Sequence, residues 1–213
     1  MIKSRFFIRG KNGFSLIEIV IVVAIIGILV SIAIPMLSSR FRAMNVKSCA
    51  QKCAADIRQA RSSAVHEGKR TQILVTGTGN QNNLGNGQNA LWMTFSNYTS
   101  AGTYASGDRV FSCGSCSSDT RIETISGISS LPAGPVGPDP GHTTNLSMSF
   151  SALGTLLNAS NVVDTSIIFT SSRDNSYKAR VTIASLTGYA RLQTCTKSGS
   201  VTCANSGDWK DIQ

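Results

Sequence analysis

The sequence predicts an α+β protein in which a long, partly transmembrane N-terminal helix packs on an antiparallel β-sheet head. Residues 19–39 are uncharged and mostly apolar, residues 40–67 carry apolar side chains three or four positions apart, and later segments alternate between apolar and polar side chains. We divide the chain into a leader (1–13), a transmembrane helix (14–39), an amphipathic helix half that packs on the head (40–67) and a β-rich globular head with disulfides (68–213).

The apolar run is long enough to cross a membrane. It has 21 residues, and about 20 are needed for a helix to span the bilayer core. The basic residues that precede it favour a cytoplasmic N-terminus and an exported head: Lys3, Arg5, Arg9 and Lys11. A cleaved secretory signal is the alternative, but the run is too long for one, no Ala-x-Ala site closes it, and a carboxylate stands at its start.

That carboxylate is Glu18. A charged group at the edge of a membrane span is costly, and where one occurs it usually has a partner. We therefore expect a functional partner for Glu18.

The helical pattern resumes after Pro35. Its apolar positions are Met44, Val46, Cys49, Ala50, Cys53, Ile57, Ala60 and Ala64. Lysines and arginines occupy the positions between them, so one stripe of the helix is predicted to pack on the head and Gly68 to end the helix.

The remaining chain predicts eight strands, at 71–76, 90–96, 109–113, 121–126, 146–150, 166–170, 179–184 and 189–194. The Pro- and Gly-rich segment 131–141 predicts an irregular connector that separates two small sheets.

The cysteine count predicts disulfides. An even number of cysteines in an exported chain with few aromatic residues is typical of a head that needs covalent stabilisation. The candidate disulfide cysteines are Cys49, Cys53, Cys113, Cys116, Cys195 and Cys203. Cys195 with Cys203 is the favoured pair, because both lie in one polar loop near the C-terminus. The Cys113-x-x-Cys116 spacing leaves half of a zinc knuckle as the alternative.

Nothing in the sequence predicts catalysis. No histidine lies near a candidate nucleophile, and neither His-Glu-x-x-His nor a Gly-x-x-x-x-Gly-Lys phosphate loop occurs. Scattered acidic residues leave a calcium site open, without the spacing of an EF-hand. We predict no enzyme activity, no cofactor and no metal site.

The segment Gly13-Phe14-Ser15-Leu16-Ile17-Glu18 resembles the signature of type IV prepilins. The resemblance implies that prepilin peptidase cuts after Gly13 and that the new N-terminal Phe14 is methylated. It also implies that Glu18, fifth after the cut, is neutralised by the N-terminal amine of a neighbouring subunit, which fixes the axial register of assembly. Pro35 is similar to the proline that kinks or locally melts the helix in that family.

Three further stretches resemble the GspH/FimT (FimU-like) group of minor pilins and pseudopilins. Residues 60–65 are similar to its "ARSEAI" segment, residues 150–154 to its F-x-x-x-G turn, and residues 185–191 to its closing G-R-x-R turn. The last one departs from the pattern, because Tyr189 stands where the first arginine is expected and only Arg191 keeps its place.

The resemblance implies the type IV pilin fold and a non-catalytic minor pilin that primes or caps assembly of a type IV pilus. A minor pseudopilin of type II secretion is the alternative. The implied partners are other minor pilins, the major pilin, prepilin peptidase and the inner membrane. The implied location is the bacterial inner membrane, crossed once with the head in the periplasm, before assembly into an extracellular pilus.

A FimT-like DNA-binding minor pilin for natural transformation is a further alternative, because the closing turn of some relatives is linked to DNA uptake. The candidate DNA-binding residues are Arg191, Arg180, Lys178 and Lys197. Neutralisation of phosphates by these cations predicts salt-sensitive and sequence-independent binding. A modestly basic solvated surface accounts for the same residues.

Overall fold

The computed structural model describes residues 14–75, 82–83, 89–96, 108–127, 146–157, 164–198 and 201–212. It contains one long helix, α1, at Leu16–Glu67. The chain divides between Arg40 and Phe41 into two compact units. The first holds the apolar part of α1, and the second holds the rest of α1 and the strands.

The strands of the second unit form two five-stranded sheets and a small two-stranded one. The strands are β1 (Thr71–Val75), β2 (Asn82–Asn83), β3 (Asn89–Ala90), β4 (Trp92–Ser96), β5 (Arg109–Gly114), β6 (Thr120–Ser126), β7 (Leu146–Phe150), β8 (Leu156–Leu157), β9 (Thr165–Ser171), β10 (Tyr177–Ile183), β11 (Ala190–Thr196) and β12 (Lys210–Asp211). Sheet A has the order β5-β4-β1-β7-β8, sheet B has the order β12-β11-β10-β9-β6, and β2 pairs with β3. The α+β class and the antiparallel sheets confirm the prediction.

The head half of α1 buries the stripe that its periodicity predicts. Small side chains dominate it and allow both sheets to approach the helix closely. The buried residues are Val46, Cys49, Ala50, Cys53, Ala54, Ile57, Ala60 and Ala64. Met44, which the sequence placed on the same stripe, is exposed instead.

Gly68 ends α1 as the sequence predicts. Its φ of 63° is a left-handed conformation that suits glycine, and the amide of Lys69 returns to the carbonyl of Ala64 at 3.2 Å. This bond is the outer one of a Schellman motif, and it satisfies a carbonyl that the end of the helix would otherwise leave unpaired.

Both sheets contribute to one core around the helix. Ile73, Trp92 and Phe150 come from sheet A, while Phe169 and Val181 come from sheet B. The rings of Trp92 and Phe169 meet edge to face with centroids 5.9 Å apart, which joins the two sheets directly. The opposite face of sheet A carries a second apolar cluster that includes Leu74, Met93 and Phe95.

The predicted division of the strands between the sheets is wrong. The connector at 131–141 lies outside the described residues. The strands before it and after it, however, do not form separate sheets. Strand β6 precedes it and belongs to sheet B, whereas β7 and β8 follow it and belong to sheet A. The reason is that β7 completes sheet A by pairing with β1, from Thr71↔Phe150 to Val75↔Leu146. Local pattern does not reveal such a non-local pairing.

Candidate functional site

The apolar part of α1 is exposed on every side. Its most apolar 18 residues are wholly exposed, and α1 is the one helix among the described residues that is long and apolar enough to cross a membrane. Phe14, at the start of the described chain, is 78% exposed. An apolar surface of this extent is stable only in lipid or against other apolar helices.

The helix begins at Leu16, close to the predicted cleavage position after Gly13. The carbonyl of Ser15 accepts hydrogen bonds from the amides of Glu18 at 3.0 Å and Ile19 at 3.3 Å. Glu18 therefore lies in the first turn, where a carboxylate is favoured by the helix dipole. Glu18 is exposed, and so are the apolar residues beside it. Gly13 lies outside the described residues, so the cleavage position stays a prediction.

Pro35 lies inside α1, and the helix continues through it without interruption. The local melting implied by the resemblance is therefore not seen. Proline removes a single hydrogen bond, and the bonds of the neighbouring turns suffice to keep the segment helical. The kink itself stays a prediction.

The three stretches that resemble the GspH/FimT group meet at the end of α1. Arg61 Nε donates a hydrogen bond to the carbonyl of Gly154 at 3.1 Å, and Arg58 Nη2 donates one to the carbonyl of Ala190 at 3.0 Å. Gly188 lies so close to Gly154 that a Cβ at Gly188 would fall 2.6 Å from the Gly154 carbonyl oxygen. The helix end, the β7–β8 turn and the β10–β11 turn therefore form one joint.

A buried carboxylate fixes the middle of the helix to sheet A. Asp56 is 8% exposed, and its Oδ2 accepts hydrogen bonds from Trp92 Nε1 and Ser112 Oγ, both at 2.8 Å. Sequence reasoning missed this group. The available signal was an acidic residue directly beside the apolar stripe, where a carboxylate requires donors.

Two disulfides join the head. Cys195 and Cys203, the pair that the sequence favoured, are bonded across a short loop. The second bond joins Cys49 of α1 to Cys116, which follows β5, with a sequence separation of 67 residues. One member of each closely spaced pair, Cys49 and Cys116, therefore bonds across the fold, and neither pair is bonded internally.

Cys53 and Cys113 are thiols in the structure, which corrects their prediction as disulfide cysteines. Cys53 belongs to the core between the helix and both sheets, whereas Cys113 packs with the cluster on the opposite face of sheet A. Strand alternation causes the separation, because Ser112 faces the helix and Cys113 therefore faces away. Burial, and the charge of Asp56, raise the pKa of the Cys53 thiol well above its ordinary value.

The candidate DNA-binding cations share one side of sheet B. Lys178, Arg180 and Arg191 lie on the face that points away from the helix, where Arg180 pairs with Gln193 across β10 and β11. We call this the outer face of sheet B. Lys197 follows β11, and its amide donates to the carbonyl of Ser176.

Two of these cations are already engaged within the head. Lys178 pairs with Glu123, and its side chain is largely buried. Arg180 lies 4.3 Å above the ring of Trp209 and donates to Gln193 Oε1, and burial lowers its pKa. Arg191 is more exposed and lies 3.9 Å from Asp211. Among the described residues, no three His, Cys, Asp or Glu side chains are grouped so that they could hold a metal ion.

An exposed apolar helix that has a carboxylate in its first turn and continues into the core of a two-sheet head defines a membrane-anchored, pilin-like protein. Residues 8–34 match the family model of the prokaryotic N-terminal methylation motif, and residues 50–188 match that of type II transport protein GspH. The chain belongs to the GspH family. No curated protein and no solved structure matches it. The family is a structural one of pilins and pseudopilins, which assemble with other pilins and are processed by prepilin peptidase.

Proposed function

We propose that the chain is a minor subunit of a type IV pilus, in which it primes or caps assembly. One observation carries the proposal: the apolar half of α1 is exposed along its length, while the second half of the same helix is built into the head core. In a fibre, apolar helices from neighbouring subunits cover one another.

In this proposal, Glu18 sets the axial register between neighbouring subunits. Once the leader is removed at Gly13, the α-amine of a neighbour's Phe14 is a cation of the right chemistry to pair with it. Each pairing satisfies two charges that lipid would leave unsolvated. The proposed location follows from this scheme: the head in the periplasm and the helix in the inner membrane, before incorporation into the fibre.

A minor pseudopilin of type II secretion is the second candidate, and the description of the matched family favours it. The two roles share the anchor and the fold. The six cysteines and the long polar stretches of the sequence support the pilus, because an extracellular fibre stays in an oxidising environment.

The experiment that tests the proposal compares a deletion strain with strains complemented by the wild-type chain or by Glu18→Ala. Sheared surface fibres, natural transformation and type II secretion are measured in each. We expect deletion and Glu18→Ala to reduce fibres at least tenfold and to leave secretion unchanged. Loss of secretion with normal fibres would instead identify a pseudopilin.

DNA binding is a third candidate, supported by the position of Arg191 and Arg180 on one face of sheet B. The free positive charge there is limited, because Lys178 and Arg180 have partners in the head. Its test is the mobility of a labelled duplex at low salt with detergent-solubilised chain. Absence of a shift at 20 mM salt, with a shift by a basic control protein, would remove this role.

A further inference from the structure

The joint at the end of α1 presents an apolar surface. Leu153 is 84% exposed and Leu186 is 71% exposed, each in a tight turn, and Tyr189 and Val65 are also largely exposed. We call these four side chains the turn patch. Turn residues are normally small or polar, so two leucines in adjacent turns are unusual.

The four residues belong to adjacent segments, namely the end of α1 and the two turns. Leu153 precedes Gly154, and a Cβ at Gly154 would fall 2.9 Å from Val65 Cγ2. Tyr189 follows Gly188, which touches the Gly154 carbonyl, and the amide of Leu156 bonds to the carbonyl of Ser185 at 3.3 Å. The β7–β8 and β10–β11 turns therefore lie side by side.

The backbone under the turn patch is fixed. Gly154 and Gly188 have φ of 76° and 63°, and the amide of Gly188 bonds to the carbonyl of Ala184 at 2.7 Å. Arg61 then ties the first turn to α1. A rigid apolar surface loses little conformational entropy when it binds, which is typical of docking sites.

Positive charge borders the turn patch. Arg58 and Arg61 donate to neutral backbone carbonyls, and neither makes an ion pair with any described residue. The carboxylate of Asp164 is nearby and accepts a hydrogen bond from the amide of Ser185. A partner that complements this surface has an apolar centre with carboxylates at its edge.

We propose that the turn patch docks the head of another pilin-family subunit, through an apolar surface bordered by Asp or Glu side chains. The proposal rests on the proposed function, since only a fibre subunit meets such a neighbour. DNA is the less suitable occupant. Leucine side chains cannot donate hydrogen bonds to phosphates, and Tyr189 is the one aromatic side chain of the turn patch on which a base could stack.

The position of the turn patch agrees with this role. It lies at the C-terminal end of α1, about 27 residues and hence about 40 Å along the helix from Phe41, where the second unit begins. The surface therefore lies at the end of the head that is remote from Phe41.

The test uses the full chain in cells that assemble fibres, with a photo-crosslinking amino acid placed at Leu153 or Leu186. Ser172, exposed in the β9–β10 turn near the other end of the head, is the matched control position. We expect crosslinks from both leucine positions, and none from Ser172, to one subunit that carries its own N-terminal methylation signature. Mass spectrometry should locate the linked residue within five positions of an Asp or Glu.

A double variant, Leu153→Ser with Leu186→Ser, tests the consequence. Both side chains are exposed, so the head should fold normally and the membrane level should match wild type. We expect incorporation into sheared fibres to fall at least fivefold. Wild-type incorporation by this variant, or a nuclease-sensitive adduct at the leucine positions, would overturn the proposal. Failure of the proposed function looks different, because the wild-type chain itself would then be missing from fibres.

Discussion

Arg61 and Gly154 join the end of α1 to the β7–β8 turn through a hydrogen bond of 3.1 Å from Nε to the glycine carbonyl. The arginine approaches this carbonyl because the glycine has no Cβ; one placed there would lie 3.3 Å from Arg61 Nε. The three stretches that resemble relatives in sequence are therefore related by contact as well.

The close approach at Gly188 predicts a large cost for a methyl group. Gly188→Ala combines strain from its positive φ with a Cβ only 2.6 Å from the Gly154 carbonyl oxygen. Gly68→Ala is the matched control, since it has the same φ of 63° and open space around it. We expect about 1 kcal/mol of lost stability for Gly68→Ala and at least twice that for Gly188→Ala, in thermal unfolding of the detergent-solubilised chain. Equal costs would show that the turns do not touch.

The bonds to Asp56 predict that its oxygen matters more than its charge. Asp56→Ala leaves the Trp92 and Ser112 donors without their acceptor and should cost about 1–3 kcal/mol. Asp56→Asn keeps an acceptor oxygen and should cost less. Urea unfolding followed by tryptophan fluorescence measures both. An Asn variant as unstable as the Ala variant contradicts this account.

The two disulfides should contribute unequally. The Cys49–Cys116 bond closes a loop with a separation of 67 residues, whereas Cys195–Cys203 closes one of 8. The chain-entropy relation gives about 4 kcal/mol for the longer loop and about 2.5 for the shorter one. We expect the double serine variant of the first pair to have the lower midpoint of thermal unfolding. A lower midpoint for the variant that lacks the Cys195–Cys203 bond would show that loop length does not determine how much each disulfide stabilises the head.

The buried thiol of Cys53 predicts a loss of stability in alkali. Its pKa is raised in the folded head, so the thiol stays protonated there while the unfolded chain ionises near its ordinary pKa of about 8.5. This stabilising contribution is fully present below that pH and is lost as the pH rises through the folded value. Between pH 8.5 and 10, Cys53→Ala should therefore lose less stability than wild type. If urea unfolding showed the same dependence of stability on pH for both proteins, the raised pKa of Cys53 would be contradicted.

The sequence predicted those parts of the fold that depend on local pattern. The end of α1 at Gly68, the buried stripe from Val46 to Ala64 and the eight principal strands follow from glycine conformation and periodicity. The short strands β2, β3, β8 and β12 were missed because two residues are too few to show alternation.

The features that escaped prediction are non-local. Cys116 pairs with Cys49 only because the end of β5 crosses the helix one turn before Cys53, and nothing near either cysteine encodes that crossing. The same holds for the joint between Arg61, Gly154 and Gly188. More than 90 residues separate Arg61 from Gly154, and more than 30 separate Gly154 from Gly188.

The measurement that tests the central claim most directly is the intact mass of the chain in sheared surface fibres. The account predicts a chain that begins at N-methylated Phe14 and is four hydrogens lighter than the fully reduced form because of its two disulfides. A chain found only in the membrane, or one that still begins at Met1, would contradict its proposed role as a processed fibre subunit.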